Sequence, residues 1–193
     1  MFEAVVNAVA CQQLSLTVGI HFLNRLAQRY GPTLRTRTGP AFGFPPPERL
    51  AGADPEALRN LGFSRPKARA VMVLARQVAA GDVDLEALRD AADDHAVAAL
   101  VDLVGVGRWS AEYTLLRGLQ RWHVLPGDDI GARNNLQRRF GLAPSGGYDA
   151  VAQLSRAWWP YGGLVYFHLL LDTLADGGQV TPSAPPSTAR RAR

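Results

Sequence analysis

The sequence predicts an all-α protein. Apolar residues recur at a helical period along most of the chain, and no run of alternating apolar and polar residues indicates a strand. Glycine and proline clusters separate the helical stretches, and no internal repeat is present. The 193 residues, 47% of them hydrophobic, suffice for one domain with a full core or for two small lobes that share one.

Capping or helix-breaking residues bound each helical stretch of the N-terminal half. Gly31–Pro32 ends the second stretch, Asp54 followed by Pro55 is typical of a capped helix start, and Gly81 follows the longest stretch. The Gly/Pro-rich segment GPTLRTRTGPAFGFPPP predicts a loop. The helices predicted in this half span 2–12, 16–29, 55–62, 64–80 and 84–90.

The stretch LVGVGRWSAEYTLLRG, which starts at Leu103, predicts a helical hairpin over about 96–119. Gly105 and Gly107 interrupt the helical period, and each would cost about 1 kcal/mol in a helix interior, so the chain turns between two helices. Asp93 or Asp94 is expected to cap the first of these helices.

The turn predicts an anion site. Backbone N–H groups near Gly107 to Ser110 lack intrahelical acceptors at the start of the second helix, and such a group of donors suits a phosphate. Arg108 strengthens this interpretation with its charge. From this stretch alone, an ordinary helical hairpin with a glycine cap is equally compatible.

Two carboxylates follow the hairpin. An irregular link, QRWHVLPGDD, ends in Asp128 and Asp129, and Ile130 begins a helix that Gly141 ends. By the residues alone these aspartates are ordinary N-caps. YDAVAQLSRAWW and YGGLVYFHLLLDTLA predict two closing helices, in which His168 is expected to be a satisfied core histidine.

Charge and cysteine content restrict the class of protein. The formal net charge is +4, but the tail over 177–193 supplies three arginines, and about +1 remains without it. The Pro/Ser/Thr-rich composition of this tail predicts disorder. Cys11 is the single cysteine, which excludes an internal disulfide and a four-cysteine metal or iron–sulfur site and favours a reducing cytosol. No signal peptide or apolar 18-residue span indicates a membrane role.

Several motifs together resemble the helix-hairpin-helix DNA glycosylases, specifically the 3-methyladenine DNA glycosylase II group. They are FEAVVNAVACQQLS, LGFSRPKARAVMVLARQVAAGDVDLEAL, GVGRWSAEYTLLRGL, LPGDDIGAR and WPYGGLVYFHLLLD. The resemblance covers about residues 2–175. It implies a two-lobed helical bundle over 1–176, with an active-site cleft between lobes that share the chain discontinuously.

The resemblance implies that Asp129 is catalytic, with Asp128 as the second choice. An alkylated purine already carries positive charge and departs readily, so one carboxylate can stabilise the electron-poor sugar and orient water. Trp109 and Tyr113 lie four residues apart on one helix face, where the residues alone favour core packing; in the family these positions line the base pocket.

The resemblance also suggests how DNA is held. Gln13, with Gln12, matches the wedge that fills the gap left by a flipped nucleotide, although the residues alone favour a polar turn. The expected phosphate contacts are Gly105, Gly107 and Ser110 through backbone N–H groups, and Arg108 and Arg133 through charge. Arg138 and Arg139 are candidates to extend this surface, or form a solvated helix face.

Related enzymes that also cut the DNA backbone carry a lysine where this chain has Trp109. Lys67 is the only lysine and lies in another segment, so a monofunctional glycosylase is expected. Two positions depart from the family pattern: Gly162 replaces a basic residue, and Leu170 replaces a tryptophan of the base pocket in some members. Longer members also carry an N-terminal β-containing domain.

We therefore expect a cytosolic, monomeric enzyme that releases alkylated bases such as 3-methyladenine from duplex DNA and leaves an abasic site, without cofactor or metal. Two alternatives stay open. A non-catalytic DNA-binding module would use the same hairpin, with Asp129 only as a cap facing solvent. A glycosylase for deaminated or oxidised bases would share the fold but have no preference for a cation.

Overall fold

The computed structural model describes residues 1–143 and 146–178, and the expected tail from 179 onward lies outside these residues. Helices dominate the described part of the chain, which confirms the predicted fold class. Its ten α-helices are α1 Phe2–Cys11, α2 Leu16–Tyr30, α3 Pro47–Ala51, α4 Pro55–Asn60, α5 Arg65–Ala80, α6 Asp93–Val101, α7 Arg108–Gly118, α8 Ile130–Phe140, α9 Tyr148–Ser155 and α10 Gly162–Asp176.

The prediction of a loop over 31–47 is wrong, because this segment forms a β-hairpin and begins α3. Strands β1 (Thr33–Thr36) and β2 (Gly39–Phe42) pair antiparallel. Gly39 has φ +123°, which glycine tolerates, and the Thr36 hydroxyl donates to its carbonyl at 2.7 Å. Nearly all side chains of the hairpin are exposed, so it has no buried face. Its sequence therefore lacks the alternation of apolar and polar residues that predicts a strand.

Helix starts follow the predicted caps in one case and depart from them in another. Asp54 caps α4 by accepting from the Glu56 N–H at 3.1 Å. The prediction that Asp93 or Asp94 caps α6 is wrong, since Ala92 occupies the N-cap without a side-chain bond. Asp93 is instead the acceptor of the Arg121 guanidinium across the fold, and residues 86–89 form one turn of 3₁₀ helix.

Two hydrophobic cores share α1 and α7. The first core lies among α1 to α7 and includes Val5, Leu26, Leu50, Leu58, Leu100 and Leu115. The second core lies among α1, α7, α8, α9 and α10 and includes Ala8, Tyr113, Leu116, Leu136, Val151 and Leu169. Because neighbouring residues of α1 and of α7 face different cores, these two helices join the lobes that the resemblance implies.

Gly163 lets α10 approach the link between α7 and α8. Its N–H donates to the Trp122 carbonyl at 2.6 Å. A Cβ at this position would lie 2.3 Å from Leu116 Cδ1 and 2.6 Å from the Val124 carbonyl oxygen. Gly162 is buried beside it, so the two glycines serve close packing at the place where the resemblance leads one to expect a basic residue.

His168 is exposed on α10, so the prediction of a core histidine is wrong. Apolar residues near His168 occur on every side of α10, but only one side of this helix packs on the second core. The apolar neighbours in sequence therefore did not show which side is buried. Within residues 1–143 and 146–178, no helix has the length and apolar character needed to cross a membrane.

Candidate active site

The glycine turn between α6 and α7 is built by close packing and a left-handed residue. Gly105 has φ +79°, and a Cβ there would lie 2.6 Å from the Ala70 Cβ of α5. Gly107 is the N-cap of α7. The first N–H groups of α7 lack intrahelical acceptors and lie at the positive pole of the helix dipole. The turn therefore offers the amide donors predicted from the sequence.

The Asp129 carboxylate joins three parts of the fold. Its Oδ1 accepts from the Ala132 N–H at 2.8 Å and caps α8. Its Oδ2 accepts from Trp109 Nε1 and from the Tyr166 hydroxyl, both at 2.9 Å. Asp129 thus acts as a cap and is also held beside Trp109, two roles that the sequence presented as alternatives.

Trp109 and Tyr113 stack on each other, with ring centroids 5.1 Å apart and planes 20° from parallel. No base fits between two rings at this spacing, so a base can stack only on a free face or edge of the pair. Tyr113 is 4% exposed and receives a hydrogen bond from Arg117 at its hydroxyl, at 3.1 Å.

A cavity of about 490 Å³ lies in front of Asp129 and Trp109. Three segments border it: the turn after α1, the start of α7 and the start of α8. This volume is within the usual range of ligand pockets. Tyr113 does not border this cavity but a neighbouring one of about 330 Å³, and Cys11 borders both.

A family model, that of the HhH-GPD superfamily of base excision DNA repair proteins, matches residues 6–161 of this chain. The chain belongs to this superfamily. It is 32% identical, over 87% of its length, to DNA-3-methyladenine glycosylase 2 of Escherichia coli (strain K12), of which it covers 56%. The chain spans about half the length of curated relatives that it matches.

Solved structures agree with this assignment. A 3-methyladenine DNA glycosylase from Archaeoglobus fulgidus superposes with a TM-score of 0.77 at 28% identity, covering 88% of this chain and 57% of that one. A Schizosaccharomyces pombe 3-methyladenine DNA glycosylase in complex with abasic DNA shares the fold, with a TM-score of 0.74 at 24% identity over 93% of this chain and 82% of that one. The superfamily resemblance drawn from the sequence is confirmed.

The two glutamines after α1 occupy different positions in this HhH-GPD fold. Gln12 Nε2 donates to the Gly105 carbonyl and to Ser110 Oγ, both at 2.8 Å, and so ties the end of α1 to the hairpin. Gln13 is exposed, borders the 490 Å³ cavity and has a left-handed φ of +54°. Gln13 is therefore the freer of the two side chains.

Lys67 holds the turn that presents Gln13. Its ammonium donates to the carbonyls of Ala10 and Gln12, at 2.9 and 2.6 Å. Burial lowers the pKa of Lys67. Because these carbonyls end α1, the lysine caps that helix, and it does not border the cavity of Asp129.

The arginines predicted to contact phosphate have partners within the HhH-GPD domain. Arg108 donates to Glu112 at 2.9 Å, and its side chain remains 52% exposed at the hairpin. Arg133 donates to the Gly127 carbonyl and to Asp128, both at 2.7 Å. Asp128 is thus exposed and forms an ion pair with Arg133, whereas Asp129 is half-buried.

Arg138 and Arg139 also have partners on their own side of the second lobe. Arg138 donates to the Asn135 side chain, one turn earlier on α8. Arg139 forms an ion pair with Asp172 of α10. Both arginines are exposed on α8, which is compatible with the alternative of a solvated helix face, and an extension of the DNA-binding surface stays a prediction.

Tyr166 was missed by the sequence analysis. Its hydroxyl reaches Asp129 from α10, one turn before half-buried Leu170. Burial and the neighbouring carboxylate raise the pKa of Tyr166, so its hydroxyl keeps its proton and remains a donor. A buried tyrosine needs a hydrogen-bond partner, and this one, in the apolar run GLVYF of α10, was the available signal.

Among residues 1–143 and 146–178, no group of three or more His, Cys, Asp or Glu side chains is placed to hold a metal ion.

Proposed function

We propose that this HhH-GPD protein is a DNA glycosylase that hydrolyses the bond between an alkylated base and deoxyribose in duplex DNA and leaves an abasic site. The observation that carries the proposal is the Asp129 carboxylate, held by Trp109 and Tyr166 at the wall of a nucleotide-sized cavity. The names of the relatives, which are 3-methyladenine DNA glycosylases, support this substrate class.

The reaction needs a fixed negative charge more than a strong acid. An alkylated purine carries positive charge and departs without protonation, and positive charge then develops on the sugar. Asp129 stabilises this charge and orients the attacking water. The Trp109 and Tyr166 donors prevent the carboxylate from rotating away, since both bind the same oxygen.

The hairpin holds the strand beside the extruded nucleotide. Amide groups at the start of α7 bind a phosphate, and Arg108 adds charge at the same place. Gln13, which borders the same cavity, enters the duplex and fills the space that the flipped nucleotide leaves. Gln12 braces the turn against the hairpin.

The enzyme is monofunctional and acts as a monomer in the cytosol. A lyase needs an amine that attacks the sugar, and Lys67 binds two carbonyls away from the cavity of Asp129. Borohydride trapping on DNA with an abasic site will give no covalent complex; a trapped complex would contradict this part of the proposal.

The decisive experiment measures base release from methylated duplex DNA by the wild type and by Asp129→Asn. Asparagine still caps a helix but has no charge, so release falls by at least about 100-fold. Binding to DNA with an abasic-site analogue persists. The matched control is Asp128→Asn, which changes the adjacent exposed carboxylate and retains activity.

Equal release by the wild type and Asp129→Asn would refute the role of Asp129. Duplexes that contain hypoxanthine or 8-oxoguanine test the substrate class in the same assay. Preferred release of either base over 3-methyladenine would replace the alkylated substrate by a deaminated or oxidised one. DNA binding without release of any base would indicate a non-catalytic binding module.

A further inference from the structure

Glu112 is a buried carboxylate outside the cavity of Asp129. It lies on α7 and is 3% exposed. Its Oε1 accepts from Arg108 Nε at 2.9 Å and from the Tyr148 hydroxyl at 2.7 Å, and its Oε2 accepts from the Gly127 N–H at 3.2 Å. Burial of a charge is unfavourable unless the charge is paired and hydrogen-bonded, and here donors from three segments meet that requirement.

These contacts hold the peptide that precedes the catalytic aspartate. Gly127 lies two residues before Asp129, with its N–H on Glu112 and its carbonyl on Arg133 Nε at 2.7 Å. A Cβ on Gly127 would lie 2.7 Å from the Tyr148 ring, so the ring packs directly on this backbone. The segment between α7 and α8 is therefore held by hydrogen bonds at the N–H and the carbonyl of Gly127 and by the packing of the Tyr148 ring of α9.

The same carboxylate contacts the hairpin. Arg108 is the first residue of α7, and its guanidinium lies 3.8 Å above the Tyr148 ring centroid while it donates to Glu112. Burial and Glu112 raise the pKa of Tyr148, so the phenol stays protonated and keeps donating. Glu112 thus connects the proposed phosphate-binding turn with the segment that carries Asp129.

We infer that Glu112 is a positioning residue of this active site: it holds the Gly127 peptide so that Asp129 meets the sugar of a nucleotide gripped by the hairpin. The inference rests on the proposed glycosylase function. A displacement of about 1 Å at a reacting group can cost about 100-fold in rate. Glu112 itself does not border the cavity of Asp129 and acts only through Gly127 and the hairpin.

The test compares Glu112→Gln with Tyr148→Phe. Glutamine has one acceptor oxygen in place of two, so either Gly127 or the Arg108–Tyr148 pair loses its acceptor. Tyr148→Phe removes one donor, keeps the Gly127 contact and retains the ring packing. The measured quantities are the single-turnover rate of base release and the Kd for DNA with an abasic-site analogue.

We expect Glu112→Gln to slow single-turnover release by about 10- to 100-fold while the Kd changes by less than about threefold, since the hairpin amides remain in place. Tyr148→Phe slows release less. Val71→Ala, a destabilised control at a buried residue of the first core that does not border the cavity of Asp129, leaves the rate unchanged below its melting temperature. If Glu112→Gln does not fold, a slowed Tyr148→Phe supports the inference and an unaffected one contradicts it.

A second readout does not depend on activity. The indole N–H resonance of Trp109 reports its hydrogen bond to Asp129, and it will shift in Glu112→Gln but not in Val71→Ala. An unchanged rate in Glu112→Gln, or a Kd that rises together with the loss of rate, overturns the inference. An inactive wild type instead refutes the proposed function, and a shifted indole resonance would then show a purely structural link between Glu112 and Asp129.

Discussion

Trp109 donates its indole N–H to Asp129 Oδ2 at 2.9 Å, across 20 residues of sequence. This bond joins the residue after the hairpin turn to the carboxylate at the start of α8. Trp109 therefore offers an aromatic wall to the cavity and also orients the charge beside it. Under the proposed function, one side chain therefore both contacts the base and orients the carboxylate.

Trp109→Phe separates these two roles. Phenylalanine keeps an aromatic ring but cannot donate to Asp129, which then retains only Tyr166 on Oδ2. Loss of one of two donors is expected to slow single-turnover release from methylated DNA by about 10-fold. Trp122→Phe, at an exposed tryptophan outside the site, is the control. Full activity of Trp109→Phe would show that the indole bond has no catalytic effect.

Tyr166 makes stability depend on pH in the alkaline range. Burial raises the pKa of Tyr166, so the folded protein keeps a proton that the unfolded chain releases above about pH 10. The free energy of unfolding is therefore unaffected by this group below about pH 10 and falls as the pH rises further. Urea titrations at pH 8 and 10.5 will show a smaller alkaline loss for Tyr166→Phe than for the wild type. An equal loss in both proteins would contradict the assignment.

Gln13→Gly will separate stability from activity. A left-handed residue other than glycine is strained by roughly 1–2 kcal/mol, and glycine relieves this strain while adding freedom to the unfolded chain. The variant should stay within about 1 kcal/mol of the wild type in stability. Its base release should fall in duplex DNA more than in single-stranded DNA, because only duplex needs a wedge. An equal fall on both substrates would argue against the wedge.

Gly163→Ala is expected to be destabilising by about 1–3 kcal/mol. The added methyl would meet Leu116 and the Val124 carbonyl at distances that require α10 to move. Gly52→Ala provides the control, since a Cβ there meets no atom within 4 Å. Denaturant titrations of both variants measure the difference, and similar midpoints would show that α10 can shift without penalty.

The local elements were largely predictable. Helical periodicity and glycine spacing located the hairpin and its N–H groups, because both depend on residues close in sequence. The β-hairpin at 33–42 was not predicted, because its exposed strands have no alternation of apolar and polar residues. The cap of α6 was predicted wrongly because Asp93 has a better partner in Arg121, which lies 28 residues away.

Residue periodicity and the order of the motifs were sufficient to predict the helical class, the superfamily and an aspartate at the start of a helix after the hairpin. The surroundings of that aspartate became known from the folded chain. Tyr166 reaches Asp129 across 37 residues, Gln12 reaches Gly105 across 93, and Glu112 reaches Gly127 across 15. Such partners depend on which faces of distant helices become buried together, and a polar side chain bonds to whatever donor or acceptor burial leaves beside it. No short-range pattern carries that information.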